Sequence, residues 1–73
     1  MKKKLRKYRL MELHEKLVKT GRYMEAKNVL YLLKTGSVVL GLSDADHSTE
    51  KLLEGAGCPV SYSYWGSGAT FRI

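Results

Sequence analysis

Two segments of the chain repeat apolar residues at spacings of three and four, which is typical of amphipathic helices. The first, about residues 5–19, places Leu10, Leu13 and Leu17 on one stripe. The second, about residues 22–34, is apolar on nearly every side. We therefore expect the second helix to be buried on more than one side, unless its apolar surface serves a dimer.

The tripeptide Lys-Thr-Gly ends both segments, at residues 19–21 and 34–36. A lysine in the last turn favours the negative end of the helix dipole, and a following glycine readily takes a left-handed conformation. Gly21 and Gly36 are therefore predicted to stop the two helices. The short connection between them predicts an αα-hairpin.

The periodicity changes after Gly36. Residues 37–42 are short, β-branched and apolar, which predicts a strand. A polar loop is expected over residues 43–48. Ser48 then predicts the cap of a short helix that ends near Glu54, with Gly55 as its stop.

Alternating apolar and polar residues in the last part of the chain predict a β-hairpin. Gly66-Ser67 suits a two-residue type II′ turn, since that turn prefers glycine first. This turn fixes a register in which the apolar residues share the core face. The expected pairs are Tyr64 with Ala69, Tyr62 with Phe71, and Val60 with Ile73.

These elements together predict an α+β fold, in which the αα-hairpin packs on a small antiparallel sheet that ends in the β-hairpin. An isolated hairpin is marginal in water, so the 37–42 strand should join it. Seventy-three residues allow one small domain. We assign residues 10–73 to that domain and residues 1–9 to a basic arm.

The net charge of +6 is concentrated in the basic arm. The other seven basic residues and all seven acidic residues lie in residues 10–73, so that part has no net charge. Cations oppose the dipole at a helix N-terminus, so the first four to eight residues are expected to fray. The charges of the arm belong to Lys2, Lys3, Lys4, Arg6, Lys7 and Arg9.

No arrangement of side chains predicts catalysis, a metal site or a cofactor. Cys58 is the single cysteine, which excludes an intrachain disulfide and favours a reducing compartment. Asp44 and Asp46 match the first ligands of a calcium loop, but the glycine and the bidentate glutamate that should follow are missing. His14 is expected to pack or meet solvent, and His47 to lie in the polar loop.

Binding is the better expectation. The arm should attract polyphosphate or an acidic protein surface. Trp65 and Arg72, of types enriched in interface hot spots, are expected on the outer face of the hairpin. A helix-turn-helix DNA reader fits poorly, because its second helix would offer few polar side chains.

This layout of basic arm, helical pair and Trp65/Arg72 hairpin resembles the small phage-encoded regulators that bind host RNA polymerase. The resemblance implies a non-enzymatic regulator that docks on a protein machine with an acidic surface. The alternative is a sequence-nonspecific nucleic-acid-binding protein that acts through the arm. The longest apolar run, residues 29–33, is too short to span a membrane, which takes about 20 residues. A cytoplasmic protein is expected, in a bacterial host if phage-encoded, as a monomer or weak homodimer.

Overall fold

A computed structural model describes residues 3–62 and 68–73 and has the expected α+β arrangement. Two helices come first, and a third lies between the first two strands. Their bounds are α1 Lys3–Lys19, α2 Tyr23–Thr35, β1 Ser37–Leu40, α3 Asp44–Gly55, β2 Val60–Tyr62 and β3 Ala69–Arg72. No helix in this part of the chain has the length and hydrophobicity to cross a bilayer.

The strands form one antiparallel sheet with the order β1-β3-β2. β3 is therefore the central strand, although it comes last in the chain. Phe71, on β3, pairs with Val38 on one side and Val60 on the other, and it is fully buried. The helical hairpin packs against this sheet, so the core forms between the two layers.

The core draws on every helix and on strands β1 and β3. Burial of these side chains is the main favourable term for a chain of this size. The buried apolar residues are Leu10, Leu17, Ala26, Val29, Leu32, Val38, Leu40, Leu53, Ala56, Cys58, Ala69 and Phe71.

Both glycine stops are confirmed. Gly21 has a φ of 76° and Gly36 a φ of 86°, in the left-handed region that side chains disfavour. The N–H of Gly36 donates to the carbonyl of Leu32 at 2.8 Å, which closes the last turn of α2. The turn after α1 is closed in a similar way, by the N–H of Arg22 on the carbonyl of Leu17 at 2.8 Å.

The expected polar loop over residues 43–48 is wrong, because α3 begins at Asp44. Its cap is Ser43 rather than Ser48, and the Ser43 hydroxyl accepts a hydrogen bond from the N–H of Asp46 at 3.1 Å. The expected stop is also wrong. Gly55 is the last residue of the helix, and the left-handed glycine is Gly57, with a φ of 80°.

The predicted hairpin register is wrong by two residues. Val60 pairs with Phe71 and Tyr62 with Ala69, where Ile73 and Phe71 were expected. A shift of two residues keeps every side chain on its original face, so apolar alternation cannot detect it. The expected Tyr64–Ala69 pair is replaced by Tyr62–Ala69, and the expected turn at Gly66-Ser67 lies outside the described residues.

The side chain of Asp46 joins three elements. Its Oδ2 accepts a hydrogen bond from the N–H of Gly41, just after β1, at 2.9 Å. Its Oδ1 accepts one from the amide of Asn28, on α2, at 3.2 Å. The same amide lies 3.2 Å from the hydroxyl of Thr49, which is fully buried. We call Asn28, Asp46 and Thr49 the Asp46 cluster.

Replacing Asp46 with alanine should lower the free energy of unfolding by about 1–3 kcal/mol, because the partly buried donors on Asn28 and Gly41 lose this acceptor. Asp44→Ala is the matched control. Asp44 is also acidic and lies in the same first turn, but it is exposed, so its loss should cost about 0.3–1 kcal/mol through the helix dipole. Urea unfolding followed by circular dichroism measures both, and equal losses would contradict the role of the cluster.

Gly68→Ala should lower the free energy of unfolding by about 1–3 kcal/mol, because the added methyl has no space. A Cβ there would lie 2.8 Å from the carbonyl oxygen of Leu40. Gly55→Ala is the control, since nothing lies within 4 Å of its added Cβ and its φ is not positive. This second change should be neutral or stabilising by up to about 1 kcal/mol. Thermal unfolding of both variants checks the difference, and similar midpoints would argue against the close approach at Gly68.

Candidate functional site

The basic arm forms the first turns of α1. Lys4, Lys7 and Arg9 are exposed, so their charges are available to a partner. Lys3 begins the helix, and Lys2 lies outside the described residues. Fraying of these turns in solution stays a prediction.

Arg6 differs from its neighbours because it is half-buried against the folded body. Its positive charge acts on Cys58, which lies just before β2 and is 7% exposed. Burial raises the pKa of the Cys58 thiol above its ordinary value of 9.0, and the Arg6 charge opposes part of that rise. Leu10, one turn later, is fully buried. The arm is therefore continuous with the domain through α1.

A wide groove of about 720 Å³ runs between α1 and α2. Three of its apolar lining residues are exposed: Tyr8 is 55% exposed, Met11 55% and Leu30 36%. Leu33 completes the apolar part of the lining. An apolar concavity of this size is typical of a surface that contacts another molecule.

The charged side chains of the groove are divided along α1. Lys7 lies toward the start of the helix, and Glu12 and Glu15 lie toward its end. Met11 stands between them, and half-buried His14 also lines the groove. The groove thus has a basic end, an apolar centre and an acidic end.

The apolar surface continues across α2 toward the sheet. Leu30 also lines a second concavity with Tyr31, Lys27 and Lys34. Tyr31 is 56% exposed and lines a third with Val39, which is 73% exposed. The expectation that α2 is buried on more than one side holds in part, since α2 packs against α1, α3 and β1. Its buried residues are Ala26, Val29 and Leu32, while Leu30 and Tyr31 remain exposed.

The hairpin residues are only partly placed. Arg72 is exposed, and its Nη2 donates to the hydroxyl of Ser61 on the neighbouring strand at 2.7 Å. Trp65 lies outside the described residues, so its expected place beside Arg72 stays a prediction. The expectation that Tyr62 is buried against the core is wrong. The ring is 63% exposed, and its hydroxyl donates to Oε1 of Glu54 at 3.0 Å.

Three polar residues considered above as metal ligands or DNA contacts, Asp46, His47 and Asn28, have partners within the fold. Asp46 belongs to the Asp46 cluster, and His47 lies on α3, 3.8 Å from Oε2 of Glu50. No group of three or more metal-ligating side chains occurs within residues 3–62 and 68–73. Of the polar residues that a DNA reader would present here, Asn28 is held by the cluster and Arg22 pairs with Glu25, while Lys27 is exposed.

Comparisons with known proteins found no match: no family model, no curated protein and no solved structure is similar to this chain.

Cys58 should react slowly with iodoacetamide in the folded protein, because the reactive thiolate is disfavoured by burial. Since folding raises the pKa, the folded state holds the thiol proton more tightly than the unfolded state. The resulting stabilisation is complete below pH 9 and declines as the pH rises above it.

Alkylation at pH 8 should be at least about tenfold slower in buffer than in denaturant. The rate in buffer should still be rising with pH above the ordinary pKa of a thiol, where the rate in denaturant has already levelled off. Mass spectrometry at timed intervals measures both rates. Equal rates in buffer and denaturant would show that Cys58 is accessible.

Proposed function

We propose that this chain is a small, non-enzymatic regulatory protein that docks on a larger protein assembly through its basic arm. The partner surface is acidic, and bacterial RNA polymerase is the first candidate because of the layout that this chain shares with phage regulators of that enzyme. The site of action is then the cytoplasm of a bacterial host. The Trp65/Arg72 hairpin supplies the second contact.

The observation that carries this proposal is the separation of charge along one helix. Exposed cations occupy residues 4–9 of α1, while residues 10–73 have no net charge. A concentrated positive charge on a neutral body steers the molecule toward a negative partner and orients it on arrival. The arm forms the first turns of α1, which Leu10 and Leu17 anchor to the core, so its charges all lie at one end of that helix.

The acidic residues of α1 favour a protein partner over an extended nucleic acid. Glu12 and Glu15 are exposed one to two turns after the arm. A polyanion that followed the helix would meet these carboxylates, and like charges in contact are unfavourable. A compact acidic patch on a protein can contact the arm alone.

Nucleic acid remains the second candidate, because Tyr8 is exposed between Lys7 and Arg9. An exposed aromatic ring among cations can stack on an unpaired base. Six phosphate contacts would make binding steeply salt-dependent, with a log–log slope of roughly −5. Such binding would not depend on Trp65.

The test is capture of partners from nuclease-treated bacterial lysate with the tagged full chain, followed by mass spectrometry. We expect polymerase subunits to be retained. The arm variant replaces Lys2, Lys3, Lys4 and Arg9 with glutamine, and should reduce capture at least about tenfold. It keeps Arg6, which packs against the body, and Lys7, which lines the groove. Trp65→Ala should also reduce capture while the protein stays folded.

A matched control removes four positive charges outside the arm, by glutamine at the exposed Lys16, Lys19, Lys27 and Lys51. Capture by this control should stay close to that of the parent chain. Circular dichroism of each variant confirms that the fold is kept. Loss of every partner after nuclease treatment would favour the nucleic-acid function. Equal capture by the arm variant, Trp65→Ala and the parent chain would reject docking through these residues.

A further inference from the structure

The groove between α1 and α2 is separate from the exposed cations that the proposed function uses, apart from Lys7 at its edge. We propose that this groove is the contact surface of a homodimer. In this dimer the α1 helices of two copies pack antiparallel, about a two-fold axis that passes near Met11. The inference goes beyond the proposed function, because it concerns the purified chain alone.

The apolar part of the groove supplies the reason to associate. Tyr8, Met11 and Leu30 are each at least one-third exposed. Monomeric proteins rarely leave large contiguous apolar surfaces in water, and covering them with a second surface is favourable. Methionine adapts its shape to a facing side chain, which suits a residue that would meet its own copy at the axis.

The charges of the groove identify the occupant. Lys7, Met11 and Glu15 are spaced by four, so they form one ridge along α1. All three are exposed and line the groove. When two such ridges run antiparallel about Met11, Lys7 of each copy faces Glu15 of the other. A two-fold interface requires a surface that complements itself in this way.

Lys7 and Glu15 are available for this pairing. Arg22 forms an ion pair with Glu25, and the His47 ring lies 3.8 Å from the Glu50 carboxylate; neither contact includes Lys7 or Glu15. Exposed ion pairs add little affinity, but like charges at the same places are strongly unfavourable. The two Lys7–Glu15 pairs between the copies therefore fix the antiparallel direction, while the apolar centre provides most of the affinity.

The antiparallel direction also keeps the basic arms apart. Lys3 is eight residues from Met11, which corresponds to about 12 Å along a helix. The two Lys3 positions therefore lie about 24 Å apart along the helices and the two Lys7 positions about 12 Å apart, both beyond the screening distance of about 8 Å at physiological salt. A parallel pair would bring both arms together, and their charges would repel.

The occupant is more consistent with a second copy than with an anionic ligand or lipid surface. Glu12 and Glu15 occupy one end of the groove and would repel phosphate groups. A partner that pairs with these carboxylates must carry a cation about as far from its own apolar centre as Glu15 lies from Met11. The chain itself presents such a surface in Lys7.

The experiment is analytical ultracentrifugation of the purified chain at concentrations from about 10 μM to about 1 mM, a range that covers weak association. We expect the mass to rise from the 8.3 kDa of one chain toward twice that value. Lys7→Glu and Glu15→Lys should each weaken the dimer at least about tenfold, because both pairs become like-charged. Lys51→Glu reverses an exposed charge on α3, outside the groove, and should leave the dimer unchanged.

Mixing the two charge-reversed variants is the decisive step. In a mixed dimer, the new carboxylate of the Lys7→Glu variant faces the new ammonium of the Glu15→Lys variant. The unchanged Lys7 and Glu15 also face each other, so both pairs are attractive again. An equimolar mixture should therefore associate about as well as the parent chain.

Two results overturn the proposal. One is a parent chain that stays monomeric throughout the concentration range. The other is a dimer that the mixture of variants does not restore, because the contact then lies elsewhere. Neither result bears on capture of a partner from lysate.

Discussion

The hydrogen bonds of Asp46 hold together elements that are far apart in the chain. One carboxylate accepts from the end of β1 and from α2, while its own backbone N–H donates to the cap of α3. In a chain of this length, the apolar core alone leaves little excess stability. The polar contacts of Asp46 therefore set the placement of α3 as well as adding to the free energy of unfolding. They fix where α3 leaves the sheet, and α3 supplies Leu53 to the core and Thr49 to the cluster.

The sequence predicted features that depend on neighbouring residues, such as the glycine stops of the helices. It did not predict features that depend on contacts between separate elements. Gly21 and Gly36 end their helices because a residue in the left-handed conformation is needed there. Glycine takes that conformation readily, so its position in the sequence predicts the stop directly. The start of α3 was predicted at Ser48, five residues after the Ser43 cap that the structure has. The hydrogen bonds that Asp46 accepts from Gly41 and Asn28 come from outside α3, so periodicity does not reveal them. The hairpin register failed for a related reason, since a two-residue shift leaves the apolar face intact.

The same limit applies to the candidate surfaces. The position of the basic arm followed from the sequence, because charge does not depend on folding. The groove could not be predicted from the sequence, since an apolar residue on α2 gives no sign of whether another element will cover it. Ala26 and Leu30 lie four residues apart on α2, yet Ala26 is covered by neighbouring elements and Leu30 remains 36% exposed. The even spacing of Lys7, Met11 and Glu15 was present in the sequence, but it became informative only once all three were placed on one groove.

Three kinds of residue therefore lie along the single helix α1. Leu10 and Leu17 face the core, the arm carries the net charge, and the ridge through Met11 faces outward. A helix allows this because residues four apart share a face, while neighbours along the chain do not. Lys7 is the position where the arm and the groove meet, so its charge contributes to both surfaces. If both proposals hold, a partner that neutralises Lys7 at the arm also removes the basic end of the groove, so docking would weaken the dimer.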